Sequence, residues 1–530
     1  MDIVAIRLQK MTTKDARLGR LGSGVQLQSS SDMEPNDVDT VDSDLAQVNS
    51  KRGVAFAFPT QVCRVIVHFA SICVLGRLLT PNDYGIAGMV FTMAGFLELF
   101  KDGGLGLALV QAKHLSSEVV ATLFWIVLLI SVCLGGVMLN SGVFLAAIYR
   151  EPRVAEVTWF FSIAIVANGL SVIPQSLLLR EHRFGRLALV EIVASTSGVS
   201  VAIIVALNGG RYYALAFQPL AASLTLLSLC WIYSPIWPGR PRWTVEVRKA
   251  LHYGVNLSAF GFVNYFARNL DNVLIGRYWG ASVLGTYARA YTLLLAPISF
   301  INNPLASVYI PVLSRLQSNP ELLRIHFLRG LSLATSISLP IAATSLVCSE
   351  EIVRILLGHE WLEVADIFRL LCISAPFQFC GNPFGWLFQS LGRTDRQFRW
   401  GIFASTIIVG SFFVGLPWGA RGVALSYSCV MIPITCLNIW YATRETRITM
   451  FDVIGYCFPT ILFSTILGAL LLGCKFAIRQ IAQSYLIDCL LLGIGVIGIS
   501  VSLAMRAVRV SRLEKMHSPI RNISDEPPPI

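Results

Sequence analysis

The chain has 530 residues, of which 55% are apolar and 14% charged, against about a quarter charged in ordinary soluble domains. A mean hydropathy of +0.64 leaves more apolar surface than one or two soluble cores absorb, and at about 20 residues per crossing it suffices for a dozen or more membrane spans. A soluble enzyme with a single anchor is excluded, and a β-barrel is disfavoured because the apolar residues run in long blocks instead of alternating over ~10-residue strands.

The expected fold class is therefore all-α, a polytopic membrane protein. Its net charge is +11, which reads either as loop charge that sets topology or as attraction for an anionic partner. The twelve cysteines are scattered, with no CxxC and no histidine at zinc-like spacing. In apolar segments they act as small hydrophobes, so neither a metal nor a cofactor is expected.

Residues 1–52 are polar, basic up to Arg20 and acidic over 31–44. No apolar stretch follows the basic start, so they read as a disordered cytoplasmic tail and not as a secretory signal. About fourteen apolar segments follow, near 54–75, 84–100, 119–148, 154–178, 187–207, 212–233, 251–275, 284–310, 327–348, 364–390, 400–417, 422–442, 452–473 and 485–505. With the N-terminus inside, the connections on the cytoplasmic side carry more than twice as many Lys and Arg as those on the other side. That bias is what the positive-inside rule requires, and it puts both termini in the cytoplasm. The outward connection around 349–363 carries Glu350, Glu351, Glu360 and Glu363 but is too short to be a catalytic domain.

An internal repeat organises these segments. Leu75–Gly85 reads LGRLLTPNDYG, and Ile275–Gly285, two hundred residues later, reads IGRYWGASVLG. Gly76, Arg77 and Gly85 recur as Gly276, Arg277 and Gly285. Six spans lie between the copies, so both enter the membrane in the same direction, as parallel transporter repeats do. The expected organisation is a six-helix lobe over 53–250, a second over 251–445, two further helices over 446–506, and a cytoplasmic tail over 507–530.

The first helix of each lobe carries a polar stripe. Gln61, Arg64, His68 and Ser71 share one helical face, and Asn256, Asn264, Arg268 and Asp271 share another at the same offset. An Arg or Asp at a helix centre costs about 2.5–3.5 kcal/mol to insert, so such stripes should line an interior or a wet cavity. Two plainer readings remain open: an Arg268–Asp271 pair that only locks helices, or snorkelling to a membrane surface. Arg289 is placed to reach the same space, Glu191 to pair with Arg186, and Asn302, Asn303 and Pro304 either to break the eighth segment or to put a packing kink in it.

The first repeat copy, followed by FKDGGLGLALVQ at 100–111, and the second-half run NYFARNLDNVLIGRYWGASVLGTYARAY at 264–291 resemble one family. This is the polysaccharide-export flippase (PST, Wzx-type) branch of the multidrug/oligosaccharidyl-lipid/polysaccharide exporter superfamily. The resemblance covers 53 to about 445 well and the last two helices loosely. The 52-residue tail departs from the family's usual short N-terminus. The resemblance implies a bacterial inner-membrane transporter, not an enzyme, that moves a polyprenyl-pyrophosphate-linked oligosaccharide by alternating access for exopolysaccharide or lipopolysaccharide biosynthesis. On that picture Arg64, His68, Arg268 and Arg289 hold the anionic head group, with Gln61 and Asn264 beside them. Asp271 pairs with Arg268 in the empty site or carries a coupling proton. The implied partners are the lipid-linked substrate, membrane lipids, and as protein candidates a polysaccharide polymerase and a chain-length regulator, with no nucleic acid.

Three rivals stand beside this reading. A drug or cation antiporter of the same superfamily would favour carboxylates over arginines. A lipid II flippase would want similar cations. A membrane glycosyltransferase or polymerase would need an external catalytic loop or paired acids. ATP-driven transport is disfavoured because no GxxxxGK[ST] occurs.

Overall fold

The computed structural model describes residues 60–101, 104–111, 116–235, 239–479 and 485–521. The expected N-terminal tail lies outside the described residues. Phe56–Ile530 form one compact unit, and among the described residues every regular element is helical. In chain order these are α1 (Thr60–Leu78), α2 (Pro81–Glu98), the short α3 (Leu105–Gln111), α4 (Ser117–Tyr149), α5 (Arg153–Arg180), α6 (Phe184–Leu207) and α7 (Tyr213–Tyr233). Next come α8 (Val245–Arg315), α9 (Pro320–Val347), α10 (Ser349–Leu356), α11 (Leu362–Cys372), α12 (Ala375–Gly381) and α13 (Phe384–Ser390). The series ends with α14 (Thr394–Gly415), α15 (Gly419–Thr443), α16 (Met450–Arg479) and α17 (Tyr485–Arg521).

Ten stretches are long and apolar enough to cross a membrane, or eleven with the bent pair His359–Cys372 and Ala375–Ser390 taken as one span. Two of the ten are doubled. Arg268–Arg315 lies in α8, whose arms 245–279 and 281–315 meet at Gly280, and Thr394–Thr443 is turned at Leu416–Gly419. With α2, these arms give room for the expected fourteen crossings. The protein is a multi-pass membrane protein.

Local chemistry explains where the helices break. Thr80 caps α2 through a reciprocal capping box with Asp83, and Pro81 occupies the first helical turn, where its missing N–H costs nothing. At the equivalent place in the second half, Gly280 turns the chain with φ +82°, a conformation that suits a residue without a Cβ. The expected break at Asn302–Pro304 does not occur, because the helix continues through Pro297, Pro304 and Pro311 to Arg315. Prolines of this kind are tolerated in membrane helices, where neighbouring groups re-satisfy the freed carbonyls. The segment expected as one helix over 364–390 is instead bent by 47° between Cys372 and Ala375. The helix α17 also runs on to Arg521, through the start of the tail expected from 507.

The two repeat copies meet in space. A Cβ on Gly85 would stand 1.7 Å from the carbonyl oxygen of Ala281, and one on Gly285 would stand 1.8 Å from that of Pro81. The contact is reciprocal at the two-hundred-residue offset, as in a two-fold interface. Only glycine permits backbones to approach this closely between membrane helices. Around it the loops at this end of the helices interlock: Trp361 Nε1 donates to the Gly76 carbonyl at 2.6 Å, Arg77 donates to the Ile355 carbonyl at 2.7 Å, and Trp279 Nε1 donates to the Leu416 carbonyl at 2.9 Å. Beside this junction Gly76 packs on Leu357 and Gly276 on the ring of Tyr149.

Helices α16 and α17 pack on α9. At that end Lys475 of α16 donates to Glu351 at 2.9 Å and to the Val347 carbonyl at 3.0 Å, while Arg354 bridges Glu350 at 2.7 Å and Asp488 of α17 at 3.1 Å. Glu351 directly, and Glu350 through Arg354, therefore tie this connection to the last two helices.

Candidate functional site

Two joined chambers lie between α1, α2, α6, α7 and the two arms of α8. The first, of about 440 Å³, reaches the Gly85–Gly285 junction, with Tyr84 and Leu284 in its lining. The second, of about 640 Å³, extends towards the start of α1 at Gln61 and the end marked by Ser299 and Phe300. His68, Ser71, Phe91, Gln218, Thr292 and Leu295 line both.

The helical face anticipated on α1 is the face that lines these chambers, with Gln61, Arg64, His68 and Ser71 all present. Arg64 donates to Glu191 of α6 at 3.2 Å. Glu191 was expected to pair with Arg186, but Arg186 lies over the Tyr233 ring instead. The α1 stripe brings Arg64 across to α6, which sequence spacing does not reveal. His68 meets Phe300 edge-on, with ring centroids 6.2 Å apart.

From the second half, Arg268 and Arg289 line the inner chamber. The guanidinium carbon of Arg289 lies 3.6 Å from the Tyr84 ring centroid, close enough for a cation–π contact. Asp271 is set back from both chambers, 1% exposed, and accepts hydrogen bonds from the Tyr287 hydroxyl at 2.7 Å and the Asn272 N–H at 2.8 Å. No Arg268–Asp271 ion pair occurs among the described residues, and the carboxylate is held by the phenol and the Asn272 N–H instead. Asn264 lies on the first arm of α8, but its side chain falls outside the described residues.

The charge of the lining is one-sided. Among the described residues the two chambers present Arg64, Arg268, Arg289 and His68 and no Asp or Glu. No cluster of His, Cys, Asp or Glu suited to a metal ion occurs among the described residues.

Several lining residues went unread in the sequence. Gln218 donates to Ser71 at 3.3 Å, and a lone glutamine beside Pro219 in an apolar helix is the signal that could have marked it. Tyr291 lines the inner chamber and stacks on Tyr287, with centroids 6.0 Å apart. Asn272 also lines it, and its side-chain oxygen is buried without a hydrogen-bond partner among the described residues.

A family model described as a polysaccharide biosynthesis protein matches residues 74–366, more than half of the chain. The chain belongs to that family. The matched stretch begins just before the first repeat motif and ends beyond the connection that closes over it. The chain is 24% identical over 417 residues to the lipopolysaccharide biosynthesis protein WzxC of Escherichia coli, covering 76% of this chain and 84% of that one. It is 22% identical over 409 residues to the succinoglycan biosynthesis transport protein ExoT of Rhizobium meliloti, covering 75% and 81%. Among solved structures it is similar to the lipid II flippase MurJ in an inward closed conformation, with a TM-score of 0.69 at 14% identity, covering 86% of this chain and 99% of that one. A multidrug MATE transporter of the MOP superfamily, inward-facing, follows with a TM-score of 0.58 at 15% identity, covering 72% and 94%. These likenesses establish the transporter fold of this family member.

Proposed function

We propose that the chain is a flippase that moves a polyprenyl-pyrophosphate-linked oligosaccharide across the bacterial cytoplasmic membrane during exopolysaccharide or lipopolysaccharide biosynthesis. The observation that carries the reading is a chamber lined by three arginines and a histidine with no carboxylate among the described residues. Such a lining fits an anion. Charge-assisted contacts to phosphate strengthen where water is scarce, and guanidinium forks match phosphate oxygens in pairs. The roles named for the relatives, lipopolysaccharide biosynthesis and succinoglycan transport, agree with such a cargo.

On this reading Arg268, Arg289 and His68 hold the pyrophosphate, while Gln61, Ser71 and Gln218 face the sugars. Arg64, already engaged by Glu191, supplies a second, exchangeable cation on the way in. Both termini lie in the cytoplasm, the Gly85–Gly285 junction closes the opposite face, and two lobes, 53–250 and 251–445, rock around it to give alternating access. The protein's task is transport, with the chemistry left to neighbours such as a polysaccharide polymerase and a chain-length regulator.

A cation or drug antiporter needs an acidic group in its cavity, and Asp271 is withdrawn behind Tyr287. A lipid II cargo shares the pyrophosphate chemistry and is distinguished by the sugars. The test is the double variant Arg268→Ala/Arg289→Ala, produced at normal level in the membrane. Loss of polymer export with lipid-linked precursor held on the inner leaflet is expected. Normal polymer output would overturn the assignment.

A further inference from the structure

A third cavity, of about 280 Å³, lies between α2, the outer part of α4 and the first arm of α8. Its walls are carbon. Met93, Phe96, Phe144, Ile148, Leu270 and Val273 supply most of them, and among the described residues no charged one takes part. Two of the polar side chains at its edge are already engaged. The Tyr265 hydroxyl donates to the Thr92 carbonyl at 2.8 Å, and the Asn269 amide donates to the Tyr265 carbonyl at 3.0 Å.

Two features set this cavity apart from an ordinary lipid-facing dent. Thr92 and Asn269 line both it and the cationic chamber that holds Arg268, so the two spaces share a wall. At its other side Phe144 is 65% exposed, on a helix whose outward residues meet the membrane. A cationic chamber and a dry pocket sharing one wall are complementary to an amphipath with an anionic head and an apolar chain.

We infer that this pocket holds the first isoprene units of the polyprenyl chain while the pyrophosphate sits against Arg268 and Arg289. The inference rests on the flippase reading and extends it to the lipid moiety. With a liquid water occupying about 30 Å³, the pocket has room for on the order of ten carbon-sized groups, the part of the chain nearest the phosphate. The rest of the chain passes Phe144 into the bilayer. The lipid-linked cargo therefore straddles the gap between α2 and the first arm of α8, and its tail need not enter the cationic chamber.

The test compares ligands with and without a chain on the full-length protein in nanodiscs. Inorganic pyrophosphate reports the head-group site alone, and geranylgeranyl pyrophosphate reports head and chain together. The wild type should bind the prenyl compound at least about tenfold more tightly, the size of gain that burial of a few methylene equivalents gives. Val273→Trp and, on the facing wall, Ile148→Trp should erase that gain and leave inorganic pyrophosphate binding in place. Photoreactive benzoylphenylalanine in place of Phe144 should crosslink to the prenyl chain. If the wild type shows the gain and both tryptophan variants keep it, the pocket is not the chain site. Crosslinking of that probe only to bulk phospholipid acyl chains would assign the pocket to ordinary lipid and equally overturn the inference. If the wild type binds neither pyrophosphate compound, the head-group reading itself fails, an outcome distinct from the other two.

Discussion

The Arg289 guanidinium rests on the face of Tyr84, 3.6 Å from its centroid. Tyr84 in turn meets Trp361 edge-on at 5.3 Å, and Trp361 donates to the Gly76 carbonyl. A cation lining the chamber is thus two aromatic rings away from the hydrogen bond that ties together the loops at the Gly85–Gly285 end. A partly desolvated cation–π contact is worth about 1–2 kcal/mol, an energy that an incoming pyrophosphate would compete for. Replacing Tyr84 by Phe keeps the ring and should leave export near normal. Replacing it by Leu should weaken closure of the outer face, seen as increased labelling of a cysteine placed at Ser282 by an impermeant thiol reagent. Equal labelling of the two variants would disconnect Tyr84 from the seal.

The reciprocal glycines make a sharper demand. Because a Cβ at Gly85 or Gly285 would fall within 2 Å of a backbone carbonyl oxygen, the obstacle cannot rotate away as a side chain could. Gly85→Ala and Gly285→Ala should each hold the outer ends apart, with a loss on the order of 1–3 kcal/mol from overpacking and a large fall in export. Gly455, where the added carbon meets nothing within 4 Å, provides the control: Gly455→Ala should export normally. Measured melting temperatures in detergent and polymer yield check both statements.

The buried carboxylate of Asp271 provides a third expectation. With Tyr287 removed as donor in Tyr287→Phe, the carboxylate keeps only the Asn272 N–H and loses roughly 1–3 kcal/mol of stabilisation. The variant should melt earlier, while Asp271→Asn, whose oxygen can keep the Asn272 N–H and whose NH2 can donate to the phenol oxygen, should melt close to wild type. If Tyr287→Phe melts like wild type, the hydrogen bond does not stabilise the folded state.

How much of this was legible in the sequence differs by feature. The helix order, the repeat and the lining face of α1 followed from hydropathy, the GR…G spacing and helical periodicity, all local signals. The partners of the charged residues did not. Glu191 sits five residues from Arg186, yet its partner is Arg64, on another helix. Asp271 sits three from Arg268, yet Tyr287 reaches it from across the Gly280 turn. Proximity along a helix offered an ion pair in both cases, and tertiary packing supplied a different neighbour. Proline likewise suggested a break at Pro304, whereas the chain turns at Gly280, where positive φ is needed.

The charge pair between Lys475 and Glu351 extends the account to the last two helices. Lys475 is 9% and Glu351 2% exposed, so removing one partner strands the other, a loss of about 3–5 kcal/mol in typical buried pairs. Lys475→Met should loosen α16 from α9 and lower the melting temperature markedly, whereas the double variant Lys475→Met/Glu351→Leu should recover most of it. Protease sensitivity of the C-terminal helices would follow the same order.

The most direct measurement is translocation in a defined membrane. Purified protein is reconstituted into vesicles containing a fluorescent polyprenyl-pyrophosphate-linked oligosaccharide, and the fraction exposed to an impermeant sugar-modifying enzyme is followed in time. The wild type is expected to bring the protected half of the lipid to the outside, and Arg268→Ala/Arg289→Ala to leave it protected. Equal exposure with wild type and double variant would contradict the cationic chamber as the carrier of the head group.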